Sequence, residues 1–308
     1  MNNLTTLGKV FNRVDELSQN CFDQNVNVND LSFDNLDSIK ISGEPHPLKT
    51  IAQRSISWRL RIPFQYLRKC PPEIQSVNLN YWIEHEKNEA LFFRMDGREV
   101  RAIFTPKYKP VDNFEVCERL DSMGYGPDTQ VQCSVDPGFM SLSILDGKKA
   151  FDINGDKFKP GISISNSEVG LASLSIAAFI LRLVCTNGLV SKTEISASYR
   201  HVSTKILNEF PVTMGKVSLE LGAQKHKIGL SMESHVDDPL KTIENFNRQF
   251  QLNQHQKEAV EWALPQEMGD NMFAVVNTYT RASQFDGLSA ENSYQLQRVG
   301  GNVLGMLK

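Results

Sequence analysis

The sequence predicts an α+β fold with an antiparallel, strand-rich centre that packs on a long buried helix, between helical N-terminal and C-terminal parts. Three patterns predict this fold. Apolar residues near helical spacing run over 46–83, short apolar runs separated by turn residues fill 90–165, and a nearly continuous apolar run covers 171–184. Helical patterns return after residue 238. Strands and helices that are segregated along the chain are typical of the α+β class.

Length and charge distribution predict three parts of the chain. A chain of 308 residues can form one large domain or two ordinary ones. Residues 1–44 carry seven acidic and three basic residues, which predicts an exposed, acidic accessory segment. We expect an α+β core domain over 45–235 and a helical region over 236–308.

Turn and breaker residues place the first elements. Apolar spacing in 46–83 predicts helices, and Pro63 interrupts them because proline cannot donate the helical hydrogen bond. Residues 90–105 predict a hairpin, since Asp96-Gly97 separates two runs rich in Phe, Val and Ile.

A helix is predicted next, over 111–123, and strands over 128–165, the last of them at 161–165. Aspartate, asparagine and glycine favour tight turns, and they predict where these strands end. The predicted turns are Asp136-Pro137-Gly138, Asp146-Gly147 and Asn154-Gly155.

The apolar run is predicted to be a buried helix. It is too short for a membrane span, because 171–184 holds 14 residues, Arg182 among them, whereas a span needs roughly 20. Asn166 or Ser167 can cap its start, and Asn187-Gly188 can end it. A helix that is apolar nearly all round is expected inside the fold.

The remaining chain is predicted to be largely helical. Residues 217–222 and 226–233 fit either a strand pair or part of a helix. Two helices are predicted over 238–264, another over 271–284 and the last over 290–305. Asp238-Pro239 and Ser289 provide their start signals.

Composition bounds the class of protein. The net charge of −3 argues against a wholly cationic nucleic-acid coat. The five cysteines are widely separated and form no CxxC pair, so we predict no disulfide framework, no metal site and a cytoplasmic protein. No cofactor motif is present. Residues 1–20 lack the basic start and apolar core of a secretory signal, and no membrane partner is expected.

Four segments occur in a specific order. They are IPFQYLRKCPPEIQSVNLNYWI (62–83), VRAIFTPKYKPVDNFEVCERL (100–120), GISISNSEVGLASLSIAAFILRLVCTNGLV (161–190) and YRHVSTKI (199–206). In this order they resemble the phage/plasmid-like family of domains of unknown function numbered 932, from about residue 45 to NMFAVVNTYTRASQ (271–284). The resemblance implies a mobile-element protein in a bacterial host, beside replication, recombination or antirestriction functions. It implies no activity.

Charge and aromatic residues favour nucleic acid as a partner. Residues 45–72 contain six Lys or Arg and no Asp or Glu, and Trp58, Phe64 and Tyr66 interleave with them. Cations neutralise phosphates, and aromatic faces stack on unpaired bases. Single-stranded DNA is favoured because no helix-turn-helix or zinc finger is visible. The predicted contact residues are Arg54, Trp58, Arg59, Arg61, Tyr66, Arg68, Lys69, Arg101, Lys107, Lys109, Arg200, His201 and Lys205.

Each of these assignments has a structural alternative. The aromatic residues of 45–72 also fit the protein core, because aromatic side chains supply much of a core's buried area. The arginines also fit a solvated helix face, or ion pairs with acids distant in sequence. Convergence of the basic segments on one surface is therefore the condition that nucleic-acid binding requires.

An enzyme is the less favoured alternative. GxGxxG, GxxxxGK[ST], HExxH and GxSxG are all absent. Glu168, His201, Cys185, Asp96 and Asp136 are the residues from which an uncatalogued nuclease or hydrolase could draw. Each is also explained by a structural role, so the catalytic residues stay unknown.

The third alternative is a phage structural protein or a protein that interacts with a host defence. The predicted helices over 240–264 and 271–305 could supply a surface for self-association. A homo-oligomer is therefore expected in either non-enzyme reading.

Overall fold

The computed structural model describes residues 3–183, 187–191, 197–199, 206–219 and 221–307. The chain folds into two compact units. Residues 1–13 and 111–308 form the main unit, and residues 14–110 form the inserted unit. The sequence had predicted domain boundaries after residues 44 and 235, and the boundaries between the two units lie after residues 13 and 110. The predicted α+β class is confirmed, with antiparallel sheets and many helices.

The chain begins with β1 (Asn3–Thr6) and α1 (Leu7–Ser18). The inserted unit then contains β2 (Cys21–Asn27), β3 (Leu31–Asn35), β4 (Ser38–Ile41), β5 (Glu44–Pro47), α2 (Thr50–Arg59), α3 (Phe64–Lys69), α4 (Pro72–Ile83), β6 (Ala90–Asp96) and β7 (Glu99–Phe104). One sheet has the order β2-β6-β7 and the other the order β3-β4-β5.

The inserted unit has its own core, and the first 44 residues help to form it. Phe33 on β3 and Ile39 on β4 are buried in the same cluster as Ile56 on α2, Leu79 on α4 and Phe93 on β6. An exposed accessory segment is therefore the wrong description of this stretch. On β3, for example, Asp34 is exposed, whereas Leu31 and Phe33 on the other face of the strand are apolar and buried.

The helices and the hairpin of the inserted unit follow the sequence prediction. α3 begins directly after Pro63, and α4 has Pro72 as its first residue, where a missing N–H costs no hydrogen bond. The hairpin of β6 and β7 turns at Gly97, whose φ of 55° lies in the region that glycine adopts most readily.

The main unit continues with α5 (Asn113–Ser122), β8 (Gln130–Val135), β9 (Met140–Leu145), β10 (Phe151–Ile153), β11 (Asp156–Asn166), β12 (Leu174–Arg182), β13 (Asn187–Ser191) and β14 (Ala197–Tyr199). Its helices are α6 (Ile206–Leu219), α7 (Leu221–Glu233), α8 (Pro239–Gln249), α9 (Gln254–Ala263), α10 (Met272–Ala282) and α11 (Ala290–Gly305). The sheet has the order β1-β8-β9-β11-β12-β13, with β10 beside β11 and β14 beside β12.

The predicted buried helix over 171–184 is wrong, because its centre is the strand β12. β12 pairs with β11 on one side and with β13 and β14 on the other. Ile180 faces a helical core that includes Val276, whereas Phe179 faces Phe139 and Tyr294. Both faces of the strand are therefore covered. Apart from Ser175 and Arg182 its residues are apolar, as those of a fully buried helix would also be.

The polar residues before this run do not cap a helix. Asn166 ends β11, and Ser167 donates a hydrogen bond to Gly138 O at 2.8 Å. The Glu168 carboxylate accepts a 2.8 Å hydrogen bond from the backbone N–H of Asn113, the first residue of α5. These side chains thus join the end of a strand to a turn and a helix start. Asn187-Gly188, the predicted helix stop, begins β13 instead.

The other elements of the main unit agree with the sequence prediction. The strands between 128 and 165 and the helix over 111–123 are present. Asp238 and Ser289 accept hydrogen bonds from the first turns of α8 and α11. The two ambiguous stretches lie in α6 and α7, apart from residue 220, which is outside the described ranges. Across the part of the chain that the structure describes, no helix is long and apolar enough to cross a membrane.

Candidate nucleic-acid interface

Two of the predicted contact residues have structural roles in the inserted unit. Arg101 on β7 is 4% exposed, and its Nη1 lies 3.1 Å from the Sγ of Cys21 on β2. This guanidinium bonds across the sheet and is not presented to a ligand. The prediction for Arg101 is therefore wrong, because its strand neighbours, which the local sequence does not reveal, bury it.

Arg59 forms the ion pair that the alternative reading expected for some arginines. Its Nη2 lies 2.9 Å from Glu86 Oε1, and both side chains are largely buried. Burial opposes ionisation of Glu86. Hydrogen bonds from Asn88 and Arg59 outweigh that effect, so the pKa of Glu86 is lowered from its usual 4.5. Arg59 is thus committed to the fold and leaves the predicted contact set.

The indole of Trp58 on α2 is 82% exposed. Arg54 lies one helical turn before it, and Arg61 lies just after the end of α2. Both arginines are exposed and lie within four residues of Trp58, so two positively charged side chains accompany the indole in this stretch of chain. A core position for Trp58 is therefore wrong.

Arg61 has an unusual backbone conformation. Its φ is 57°, in the left-handed region where a residue with a side chain pays a steric cost. The N–H of Arg61 donates to Trp58 O, and the N–H of Ile62 donates to Ser57 O. These two bonds form the Schellman motif, in which glycine usually occupies the position that Arg61 holds.

Phe64 on α3 lies between two further guanidinium groups. The Cζ atoms of Arg54 and Arg68 lie 5.5 and 5.8 Å from the centre of its ring. The ring is partly buried against the core, so it orients both arginines at the surface. Tyr66 on the same helix is 49% exposed and Lys69 is exposed.

We call these side chains the basic aromatic surface: Arg54, Trp58, Arg61, Tyr66, Arg68 and Lys69. Within the described ranges, none of its four cations has a carboxylate oxygen within the 4.0 Å of an ion pair. Six of the thirteen predicted contact residues thus belong to this surface, which is formed by α2, α3 and the turn between them.

The other predicted residues are less informative. Lys107 and Lys109 are exposed in the segment after β7, on either side of Tyr108, whose ring stacks on Phe104 at 3.9 Å. The end of β7 lies beside α2, because Ile103 N donates to Ser55 Oγ at 3.2 Å. Arg200, His201 and Lys205 fall outside the described residues.

Sequence reasoning missed an exposed apolar stripe on α4. Ile74, Val77, Tyr81 and Trp82 are between 43% and 66% exposed, while the opposite side of the helix packs on β3. The signal was available, because apolar residues at positions 74, 77 and 81 repeat at helical spacing beside the buried Leu79 and Ile83.

It also missed an apolar pocket of about 370 Å³ in the main unit. The beginning of α8, the segment 264–269 and α10 form its walls. Leu240 and Met268 are exposed beside it, and Ile243 and Val275 are buried within it. No local motif marks such a pocket, because its walls come from three separate stretches of chain.

The carboxylates considered for catalysis have structural partners. Lys49 Nζ lies 2.8 Å from Asp96 Oδ2, and although burial opposes the charge of Lys49, its partners raise its pKa above 10.5. Asp136 accepts hydrogen bonds from the N–H groups of Gly138, Phe139 and Ala290. Glu168 caps α5 as described above.

Cys185 and His201, the other two candidates for catalysis, lie outside the described residues. Among the residues with described positions, no group of three or more His, Cys, Asp or Glu side chains could hold a metal ion.

No family model matches the chain, and neither a curated protein nor a solved structure matches it.

Proposed function

We propose that the basic aromatic surface binds single-stranded nucleic acid. The observation that supports this most strongly is the 82% exposed indole of Trp58, with the exposed Arg54 and Arg61 within four residues of it. An exposed indole can stack on any unpaired base, and exposed guanidinium groups can each contact a phosphate.

The conformation of Arg61 also supports binding. Residues held in the left-handed region cost of order 1–3 kcal/mol and cluster at binding sites, where the position of the side chain matters more than stability. Glycine would be less strained at the end of α2, yet the chain has an arginine there. Arginine at this position adds a positive charge near the exposed Trp58 in sequence, which a glycine would not.

A single strand suits this surface better than a duplex. α2 and α3 span only 10 and 6 residues, and the surface relies on one highly exposed ring rather than on a long helix that could enter a major groove. Bases in a duplex are already stacked on one another, so an isolated indole gains contact only with an unpaired base. We propose single-stranded DNA as the partner, because replication and recombination are the settings that the family resemblance implies, with annealing as a further candidate role.

Fluorescence anisotropy with a labelled single-stranded oligonucleotide tests the proposal. With four cations, we expect the logarithm of the association constant to fall with the logarithm of salt concentration, with a slope of up to about −3. Trp58→Ala should weaken binding by about 1–3 kcal/mol through lost stacking. Arg54→Glu with Arg68→Glu should weaken it further and flatten the salt dependence.

Arg98→Glu is the matched control, because Arg98 is an exposed arginine of the same unit outside the basic aromatic surface. It should change binding little. Equal losses in Arg98→Glu and in Arg54→Glu alone, which change the net charge by the same amount, would show that only net charge matters. Binding that is absent at low salt, or insensitive to salt, would contradict the proposal.

The resemblance to the phage/plasmid-like family numbered 932 suggests a biological setting. We propose a protein of a mobile element that acts on single strands exposed during replication or recombination.

The stripe on α4 favours protein binding as a second candidate function, because four large apolar side chains exposed on one short helix are typical of an interaction site.

A further inference from the structure

The polar side chains that line the apolar pocket of the main unit already have partners. Thr278 Oγ1 donates to Ala274 O at 3.0 Å, and Glu267 Oε2 lies 3.1 Å from Arg182 Nη1. Its walls are otherwise aliphatic or formed by proline, methionine and glycine. A pocket of about 370 Å³ with such walls accepts a bulky apolar or aromatic group.

Carboxylates lie beside this pocket. Asp238 directly precedes Pro239 at one wall, and Asp270 directly follows Gly269 at another. Asp237 is fully exposed, and His235 lies between Asp237 and Asp270, at 3.4 and 3.6 Å. Exposed Lys241 on α8 is the nearest cation in sequence. The occupant should therefore carry positive charges around an apolar anchor.

The basic aromatic surface of this same chain has that chemistry. We propose that Trp58 of one copy enters the apolar pocket of a second copy, where Arg54, Arg61 and Arg68 face the carboxylates at the rim. Trp and Arg are the residues most enriched at the energetic centres of protein interfaces, and such residues act best in a pocket that excludes water. Opposite charges at the rim fix the orientation.

The contact is heterologous, because the two surfaces differ and each copy has one of each. When a single contact joins two copies, the dimer keeps one unoccupied pocket and one unoccupied Trp58, to which further copies can add. Sedimentation velocity at low salt should show larger species as protein concentration rises, and added salt should reverse this growth.

Two variants remove one surface each. Leu240→Asp places a negative charge at the pocket, and because Leu240 is 62% exposed its replacement should leave the fold intact. Trp58→Ala removes the anchor. Each variant alone should weaken self-association by about thirtyfold or more, as expected for loss of a central interface residue.

A mixture of the two variants distinguishes a contact between two different surfaces from a contact in which both copies use the same surface. The Leu240→Asp copy keeps Trp58 and the Trp58→Ala copy keeps the pocket, so one intact interface remains between them. The mixture should form a one-to-one dimer that does not grow. A wild-type protein that stays monomeric, or a mixture without dimers, would overturn the proposal.

Val77→Asp is the matched control, since Val77 is 66% exposed on the α4 stripe. It should leave self-association unchanged. Dissociation by Val77→Asp with no effect of Leu240→Asp would assign the interface to α4 and overturn the proposal.

Nucleic acid and a second copy of the protein compete for Trp58, so self-association would regulate nucleic-acid binding. This regulation rests on the proposed function. Leu240→Asp should therefore bind oligonucleotide at least as tightly as the wild type. Self-association without oligonucleotide binding in the wild type would refute the proposed function and leave the interface standing. If the wild-type protein binds oligonucleotide but stays monomeric, the interface is refuted and the proposed function stands.

Discussion

Nη2 of Arg59 lies 2.9 Å from Oε1 of Glu86, and the two side chains are only 12% and 8% exposed. This pair separates Arg59 from Arg54 and Arg61, which are close to it in sequence and exposed. Three arginines within eight residues thus have two different roles. The one that points inward holds the end of α2 against the segment that follows α4.

Glu86→Gln should destabilise the inserted unit by about 3 kcal/mol, because it leaves a largely buried guanidinium without its counter-charge. Urea unfolding measures the change. Glu44→Gln is the control, since Glu44 and Arg98 are 3.8 Å apart and highly exposed. Its effect should stay below about 0.5 kcal/mol. Equal effects of the two variants would contradict a structural role for the buried pair.

The same pair should contribute to acid unfolding. The pKa of Glu86 is lowered in the folded state, so the stability that its ionisation provides is complete above the unfolded value near 4.5. That contribution is lost as the pH falls through the lower folded value. The difference in unfolding free energy between the wild type and Glu86→Gln should therefore shrink as the pH falls from 4.5 through the lower pKa of Glu86 in the folded protein.

Gly161→Ala should destabilise the main unit by about 2–3 kcal/mol. Gly161 lies on β11 opposite Leu145 of β9, and a Cβ at this position would overlap the carbonyl of Ile144. The strand backbone would have to move. Thermal unfolding measures the loss. Gly147→Ala is the matched control, because a Cβ there meets no atom within 4 Å. A tolerated Gly161→Ala would mean that the sheet adapts.

Local chemistry explains which parts of the fold could be predicted. Ser289 and Asp238 cap α11 and α8 through side chains within three residues of the N–H groups that they bind, so the sequence window contains the cause. β12 could not be assigned in this way. Its neighbours β11 and β13 cover its edges, helices cover its faces, and a strand buried on both sides loses the alternation that identifies strands.

The candidate site was predicted only in part, for the same physical reason. Exposure of Arg54 and Arg68 follows from their place on short surface helices. Arg101 looked equivalent in sequence, but it contacts Cys21, which is 80 residues away on β2, beyond the intervening strand β6 of the same sheet. The unusual backbone of Arg61 also had no sequence signal, because the position normally calls for glycine.

Gln297→Met should stabilise the main unit by about 1–2 kcal/mol. Gln297 on α11 is 1% exposed, and neither its Oε1 nor its Nε2 has a hydrogen-bond partner among the described residues. Burying an amide without partners costs free energy that a thioether of similar size does not. Gln295→Met is the control, since Gln295 bonds to Gln256 and Glu291 and should gain nothing. Loss of stability in Gln297→Met would contradict an unsatisfied amide.

Alkylation of the native protein should divide the described cysteines into two classes. Cys117 is fully buried, and burial raises the pKa of its thiol to about 12. Burial also raises the pKa of the Cys133 thiol. Because the thiolate is the reacting species, both should stay unmodified at neutral pH until the protein unfolds, whereas half-buried Cys70 reacts first. Peptide mass spectrometry measures the order. Early labelling of Cys117 would indicate that α5 opens locally.

Arg61→Gly should separate stability from binding. Glycine relieves the left-handed strain at φ 57°, so the unfolding free energy should rise by about 1 kcal/mol. Affinity for a single-stranded oligonucleotide should fall, with the salt slope reduced by about 0.7, because one phosphate contact is lost. Gln251→Gly is the matched control, since Gln251 has a φ of 53° and the same two hydrogen bonds after α8. It should gain similar stability and bind unchanged. If Arg61→Gly becomes more stable without losing affinity, the strain at the end of α2 has no part in binding nucleic acid.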